Sequence, residues 1–226
     1  MSLKEQLKEE ISAERRKMKE MSFRDKLWYI WEYYKLHIGA VILAIVLLNI
    51  VATSVYNTTI HPGLYCIIIN SQSAQEMDMS ILEEDFHDLM GFGKKQPVYA
   101  ESMFITHGDA ATEYSYASMA KLSALVASKD LDVFMADQEN TDHYASMDGL
   151  ADLKQLLPQD MLSVLESRLG FSPDSAGQPV AVSLDISRTA FADAMHLSEN
   201  ACNLSIISNS THTDTAIALI RYIFDL

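Results

Sequence analysis

The chain has 226 residues, of which 49% are hydrophobic, and a formal net charge of −14. The charge is unevenly divided: residues 1–37 carry nine Lys or Arg and seven Asp or Glu, net +2, whereas residues 38–226 carry eight and twenty-four, net −16. The acidic part would repel phosphate backbones, which excludes nucleic acid as an expected partner.

Residues 1–35 form a charged N-terminal segment. Leu3, Leu7 and Ile11 follow one another at a four-residue spacing, which predicts a short helix. This helix either makes a coiled-coil contact through its apolar stripe or lies on anionic lipid headgroups through its basic side chains. The stripe is shorter than three heptads, which favours the lipid surface.

The segment Leu36–Tyr56 contains no charged side chain. At about 1.5 Å per helical residue, its length covers the ~30 Å hydrocarbon core of a bilayer. The residues before it include aromatic side chains typical of headgroup depth, namely Trp28, Tyr29, Trp31, Tyr33 and Tyr34. We therefore expect residues 36–56 to form a transmembrane helix, with the lipid bilayer as a partner.

The basic residues around this segment predict its orientation. Seven Lys or Arg lie between Arg15 and Lys35, and none lies between Tyr56 and Gly93. Basic flanks stay in the cytoplasm, so we expect a single-pass protein of the cell membrane with its C-terminal domain outside. A cleaved signal peptide is the alternative, because Ala52 and Ser54 form a small-x-small pattern; the long charged segment upstream favours an uncleaved anchor.

Residues 57–63 are interpreted as a linker, and residues 64–226 are long enough for one extracytoplasmic domain. Short runs rich in β-branched or aromatic residues predict five strands: Leu64–Asn70, Val98–Thr106, Leu131–Asp137, Pro179–Asp185 and Asn203–Asn209. Apolar residues at helical spacing alternate with these runs. The pattern predicts an α/β domain in which helices flank a largely parallel sheet of about five strands.

A helical insertion is expected between the third and fourth predicted strands. Pro158 and Pro173 enclose an apolar pattern that predicts a helix at Gln159–Leu169.

Three stretches resemble known protein classes. Leu131–Leu157 has a strand ending in an acidic turn, then an aromatic-bearing helix and a Gly-Leu-x-Asp-Leu segment, and Asn203–Leu226 has a strand followed by an amphipathic helix. Both resemble parts of extracellular solute-binding proteins of the periplasmic-binding-protein class. Lys26–Gly39 (KLWYIWEYYKLHIG), which runs into the apolar segment, resembles uncharacterised single-pass membrane proteins of Gram-positive bacteria. The resemblance implies a related fold more than it implies transport, since solute-binding proteins have two lobes and this chain has material for one lobe or a much reduced pair.

A ligand of such a sheet is expected in the crevice outside the carboxyl ends of its parallel strands. The loops after the first three predicted strands supply the candidate ligand-binding residues: Ser71, Gln72, His107, Asp109, Asp137 and Gln138. Asp109 has a second interpretation as the N-cap of the helix that follows it.

The two cysteines, Cys66 and Cys202, both follow the apolar segment. On the outer side of the membrane they could form a disulfide that closes a long loop. The alternative is that both are small buried hydrophobic residues in neighbouring strands.

The sequence contains no His-Glu-x-x-His, Gly-x-Ser-x-Gly or Cys-x-x-Cys motif and no phosphate-binding glycine loop. We therefore expect a protein that is not a catalyst and that needs no metal or cofactor. The sequence favours a membrane-anchored extracytoplasmic binding or sensing module for an unknown small molecule or protein partner. The alternatives are a structural or assembly module that recruits a protein partner at the cell surface and, third, an extracytoplasmic hydrolase.

Overall fold

The computed structural model describes residues 22–72 and 75–226. The predicted helix with Leu3, Leu7 and Ile11 lies outside these ranges. The chain divides into two compact units, residues 1–59 and residues 60–226, and each is described by itself below.

The described residues of the first unit form a long helix, α1, at Phe23–Asn57. Its part Tyr34–Asn57 spans 24 residues with a mean hydropathy of 2.6, so this helix near the N-terminus is long and apolar enough to cross a membrane. Between Leu36 and Val55 apolar side chains lie on every side of the helix, and all of them except Ile38 are exposed within the chain. A helix that is apolar all round needs an apolar environment, which a lipid bilayer provides.

The second unit is built on a six-stranded sheet with the order β2-β1-β3-β6-β5-β4. Its strands are β1 (Leu64–Ile69), β2 (Val98–Met103), β3 (Val133–Ala136), β4 (Leu169–Pro173), β5 (Pro179–Asp185) and β6 (Asn203–Ile206). β1 pairs in parallel with β2 and β3, whereas the β3–β6, β6–β5 and β5–β4 pairs are antiparallel. The α/β class is confirmed, but the sheet is mixed and not largely parallel.

The sheet has one strand more than predicted, β4, which begins at the last residue of the helix predicted at Gln159–Leu169 and follows a 3₁₀ turn at Glu166–Arg168. The helix stops at Leu165, and Leu169–Pro173 pairs with β5 at the edge of the sheet. The sequence does not predict this strand, because Gly170 and Pro173 are both disfavoured in strand interiors. An edge strand tolerates Pro173, and Gly170 lies close to Ser183 Oγ, so a Cβ at this position would require the Ser183 side chain to move.

Helices cover both faces of the sheet. They are α2 (a π-helix at Ile81–Phe86 that continues as His87–Leu89), α3 (Glu113–Ser128), α4 (Gln138–Ala145), α5 (Leu153–Leu156), α6 (Gln159–Leu165), α7 (Ala190–Ala194) and α8 (Thr213–Phe224). Cys66, Ile68 and Met135 point into a core shared with α2 and α5–α8. Ile67 and Phe134, on the other face, pack against α3 and α4. The central strands are therefore buried on both sides, which explains their continuous apolar sequence.

The segment before β1 already belongs to the second unit. His61 N donates to Lys95 O and Gly63 N donates to Pro97 O, so these residues extend the pairing of β1 with β2. The C-terminal part of the predicted linker is thus fixed by backbone hydrogen bonds.

Candidate functional site

The three parallel strands end at one edge of the sheet. Because β1, β2 and β3 run in the same direction, the loops that follow them lie side by side there. These loops carry the predicted ligand-binding residues Ser71, Gln72, His107, Asp137 and Gln138. The structure therefore brings these residues to a common edge, which we call the carboxyl edge.

The connections that follow β1 and β3 lie on opposite faces of the sheet. After β1 it passes to α2, on the face of Ile68, whereas after β3 it passes to α4, on the face of Phe134. This divergence leaves a crevice above the β1–β3 pair, the usual place for a ligand in an open α/β sheet.

Asn70 joins the three loops at this crevice, although the sequence reasoning did not single it out. Its Nδ2 donates to Ile105 O (2.8 Å) and to Asp137 Oδ2, while its Oδ1 accepts from Ile105 N (2.9 Å). Its φ of 58° lies in the left-handed region, which asparagine tolerates better than most residues. Only the end of a strand marks this residue in the sequence, and the partners that define its role are 35 and 67 positions away.

Asp137 is held by the protein itself. It is the N-cap of α4, and its Oδ1 accepts from Asn140 N (2.8 Å) and Asn140 Nδ2 (2.9 Å) while Oδ2 accepts from Asn70. Such a carboxylate compensates the free N–H groups at the start of a helix. Asp137 therefore shapes the crevice, and little of its hydrogen-bonding capacity is left for a ligand.

His107 and His143 stack on one another beside this network. Their ring centroids are 4.0 Å apart, and His107 Nε2 donates to Asn140 Oδ1 over 2.9 Å. Partial burial and the neighbouring His107 ring lower the pKa of His143, because both disfavour a positive charge on its ring. Hydrogen bonds thus connect His107 through Asn140 to Asp137 and Asn70.

A cleft of about 510 Å³ opens at the carboxyl edge, and we call it the carboxyl-edge cleft. Gln72, Asp137 and Gln138 line it, whereas Ser71 and His107 do not. The other lining residues escaped the sequence reasoning: Asn70, Phe104, Thr106, Glu139, Glu199, Asn200 and Asn203. The lining combines amides, carboxylates and one exposed aromatic ring, and it contains no Lys or Arg.

Ser71 and Gln138 support the walls of this cleft. Ser71 is buried, and its Oγ accepts from Ser198 N (3.1 Å), while Gln72 N donates to Ser198 Oγ (3.2 Å). Gln138 Nε2 donates to Asp142 Oδ1 (2.8 Å), and Gln138 Oε1 accepts from Asn203 Nδ2 (3.3 Å). These bonds tie the loop after β1 and the start of α4 to the segment that leads into β6.

Asp109 does not cap the helix that follows it, so that interpretation is wrong. It lies in a 3₁₀ turn at Gly108–Ala110, whereas Thr112 caps α3 by accepting from Ser115 N (3.1 Å). The physical reason is the irregular backbone between Asp109 and the helix, which begins only at Glu113.

Cys66 and Cys202 are both free and buried in the structure. They lie in β1 and just before β6, and these strands are not neighbours because β3 separates them. Burial raises the pKa of the Cys66 thiol well above its usual value and that of Cys202 to about 11, so both thiols stay protonated and unreactive near neutral pH.

At the opposite edge of β3, Asp132 is completely buried. Its Oδ2 accepts from Tyr65 N (3.0 Å), its Oδ1 accepts from Ser210 Oγ (2.6 Å), and His212 Nδ1 lies 3.2 Å from both oxygens. Buried carboxylates need such partners. This cluster joins the starts of β1, β3 and α8.

No group of three or more His, Cys, Asp or Glu side chains is arranged to hold a metal ion among residues 22–72 and 75–226. Comparison with known proteins gives no match: no family model, no curated protein and no solved structure is similar to this chain.

Proposed function

We propose that the protein is a membrane-anchored extracytoplasmic module that binds or senses a small polar molecule in the carboxyl-edge cleft. The observation that carries the proposal is the joining of three loops by Asn70 and Asp137 at a concave, polar edge. A preformed cleft with a few fixed polar groups is the usual form of a small-molecule site.

The anchor part of the proposal rests on α1. Its segment Tyr34–Asn57 has 24 residues and a mean hydropathy of 2.6, which suits a bilayer. The basic residues upstream of this segment favour a cytoplasmic N-terminus. Ala44→Arg should therefore cost about 3 kcal/mol of insertion free energy. The measurement is the fraction of protein that stays in the membrane after carbonate extraction, with Ala44→Leu as the control. Unchanged integration of the arginine variant would refute the anchor.

Orientation is tested separately. Protease added to intact cells should remove residues 60–226 while an epitope at the N-terminus stays protected, because the basic flank keeps that end inside. Protection of residues 60–226 would reverse the proposed topology.

The lining of the cleft narrows the class of ligand. Glu139 and Glu199 belong to different elements, α4 and the 3₁₀ turn before β6, and no basic residue lines the cleft to balance them. An anionic ligand would be repelled, whereas neutral polar or cationic ligands would not. The ring of Phe104, which is 40% exposed, offers an apolar surface on which such a ligand can rest.

Binding without chemical conversion is the function we propose for this cleft. Asp137, a carboxylate that lines the cleft, already accepts three hydrogen bonds from Asn70 and Asn140, which suits a positioning role better than proton transfer.

The test is a thermal-shift screen of the full chain in lipid nanodiscs against amino acids, sugars, peptides and divalent cations. A ligand at a hundred times its Kd stabilises the folded state by about 2.7 kcal/mol. Phe104→Leu and Glu139→Gln should weaken the response, whereas Glu166→Gln, an acid outside the cleft, should leave it unchanged. A folded protein that responds to nothing in the panel would contradict the proposal and favour an assembly role.

A further inference from the structure

A second cavity of about 260 Å³ lies on the face of the sheet that α3 and α4 cover, opposite the layer of α2 and α5–α8, and we call it the apolar cavity. It is bounded by the C-terminal half of α3, the segment after α4 and the end of β6. Its lining residues are Leu122, Ser123, Val126, Ala127, Phe134, Tyr144, Met147, Gly149, Ile207 and Asn209. It shares no lining residue with the carboxyl-edge cleft, so it is a separate cavity.

The floor and rim of the apolar cavity differ. Leu122, Phe134 and Ile207 are buried and form an apolar floor. Ala127 and Met147 are exposed at the rim, and Met147 retains 55% of its accessible surface. None of the ten lining residues carries a charge. Such walls exclude ions and favour an apolar molecule, because they offer a charged group no compensation for lost hydration.

Tyr144 supplies a polar group in this wall. Its ring packs edge-on against Phe134 with centroids 5.2 Å apart, and its hydroxyl makes no hydrogen bond within the part of the chain that the structure describes. Burial raises the pKa of Tyr144 to about 12, so the phenol is neutral at physiological pH and can donate or accept a hydrogen bond.

The other polar side chains of the cavity are Ser123 and Asn209. Ser123 Oγ donates to Met119 O (2.8 Å), and Asn209 Nδ2 donates to Val126 O (2.9 Å), which ties the end of β6 to α3. Asn209 Oδ1 is buried without a hydrogen-bond partner among the described residues, so it and the hydroxyl of Tyr144 are the two groups that can orient a ligand.

The size of the cavity limits the ligand. An apolar cavity of about 150 Å³ holds benzene, so about 260 Å³ has room for roughly two fused rings. We propose that the apolar cavity binds a flat, mainly apolar molecule of this size that carries one N–H or O–H group, which hydrogen-bonds to the hydroxyl of Tyr144. The ligand is distinct from the polar molecule proposed for the carboxyl-edge cleft.

Indole and indene provide a matched pair of probes, because they share size and shape and differ in the N–H group. Binding of radiolabelled indole is measured by equilibrium dialysis against the full chain in lipid nanodiscs, and indene is measured as a competitor. Empty nanodiscs give the partition into lipid, which is subtracted. We expect saturable binding of indole and about tenfold weaker binding of indene, since one hydrogen bond is lost.

Three variants locate the binding. Tyr144→Phe removes only the hydroxyl and should make indole and indene bind equally. Ala127→Phe and Ser123→Phe each place a ring at the rim of the cavity and should abolish saturable binding of both probes. Circular dichroism melts identify any variant that fails to fold, and Phe104→Leu in the carboxyl-edge cleft serves as the matched control that keeps indole binding.

Three results would overturn the proposal. They are the absence of saturable indole binding, equal affinity for indole and indene in the unmodified protein, and saturable binding that survives in folded Ala127→Phe and Ser123→Phe. A preference for indole that persists in Tyr144→Phe would remove the hydroxyl from its proposed role.

Discussion

Asp132 and Asp137 flank the same short strand, β3, and each holds one end of β1. Asp132 accepts from the backbone of Tyr65 at the start of β1, and Asp137 accepts from the side chain of Asn70 just after its end. Their surroundings differ, because Asp132 is completely buried while Asp137 borders the carboxyl-edge cleft. The β1–β3 pair thus has a buried end at Asp132, which we call the closed edge, and an end at Asp137 that borders the cleft, which we call the open edge.

The histidines at these two edges differ in the same way. At the closed edge His212 faces the carboxylate of Asp132, which can accept a hydrogen bond from the His212 ring. At the open edge His107 stacks on His143, and partial burial together with this neighbouring ring lowers the pKa of His143. The closed edge is arranged for stability, whereas the open edge keeps polar groups close together in a place that a ligand can reach.

The largest effect is expected at the closed edge. Asp132→Ala leaves the donors of Tyr65 and Ser210 without their acceptor, so it should lower the free energy of unfolding by about 3 kcal/mol. The measurement is urea denaturation of purified residues 60–226, followed by circular dichroism. Asp132→Asn keeps the shape and one acceptor oxygen and should cost less. A loss below about 1 kcal/mol for the alanine variant would mean that this edge does not depend on the acid.

A smaller loss is expected at the open edge. Asp137→Ala removes the N-cap of α4 and the acceptor for Asn70, which should cost about 1–2 kcal/mol in the same assay. Water can reach groups beside the cleft, and this limits the penalty. A loss equal to that of Asp132→Ala would erase the difference between the edges.

The coupling of Asn70 to Asp137 sharpens the comparison further. Asn70→Ala and Asp137→Ala both break the same hydrogen bond, so the double variant should lose about 1 kcal/mol less than the sum of the single losses. The double-mutant cycle uses the same unfolding measurements. Strict additivity would show that the loops after β1 and β3 are not held together through these side chains.

The pH response should be the smallest effect. The pKa of His143 is lower in the folded protein than its ordinary value, so the unfolded chain binds a proton more readily. Above the unfolded pKa of about 6.5, His143 therefore does not change the free energy of unfolding. As the pH falls from this value to the folded pKa, His143 lowers the free energy of unfolding. His143→Gln should reduce the loss of stability between pH 7.5 and 5.5 seen by urea denaturation. His61→Gln, at an exposed histidine, is the control. An identical pH response of wild type and His143→Gln would refute the lowered pKa of His143 as the cause.

Several parts of the fold were predictable because their signals are local. The apolar run at Leu36–Tyr56 predicts a helix by length and composition, and the runs at β1 and β3 predict buried strands by their continuous apolar residues. The strand at Leu169–Pro173 was not predictable, because Gly170 and Pro173 read as breakers and only its pairing with β5 makes it a strand.

The candidate site divides in the same manner. The positions of Gln72, Asp137 and Gln138 follow from the ends of predicted strands, and parallel pairing of β1–β3 brings them to one edge. Glu199 and Asn203 reach the cleft from the approach to β6, which lies beside β3 in an antiparallel arrangement that the apolar pattern does not encode. Asp109 is the opposite case. Its residue type favours helix capping, but Thr112, three positions later, is the N-cap of α3.

The sequence alone determined that this chain has one long apolar helix near its N-terminus and an acidic α/β domain after it, because charge, length and periodicity are properties of neighbouring residues. The tertiary structure decided the rest: the mixed direction of the sheet, the joining of Asn70 to Asp137 and the shape of both cavities. These features depend on contacts between residues far apart in the chain, where packing and hydrogen bonding select one arrangement among several that the local pattern allows.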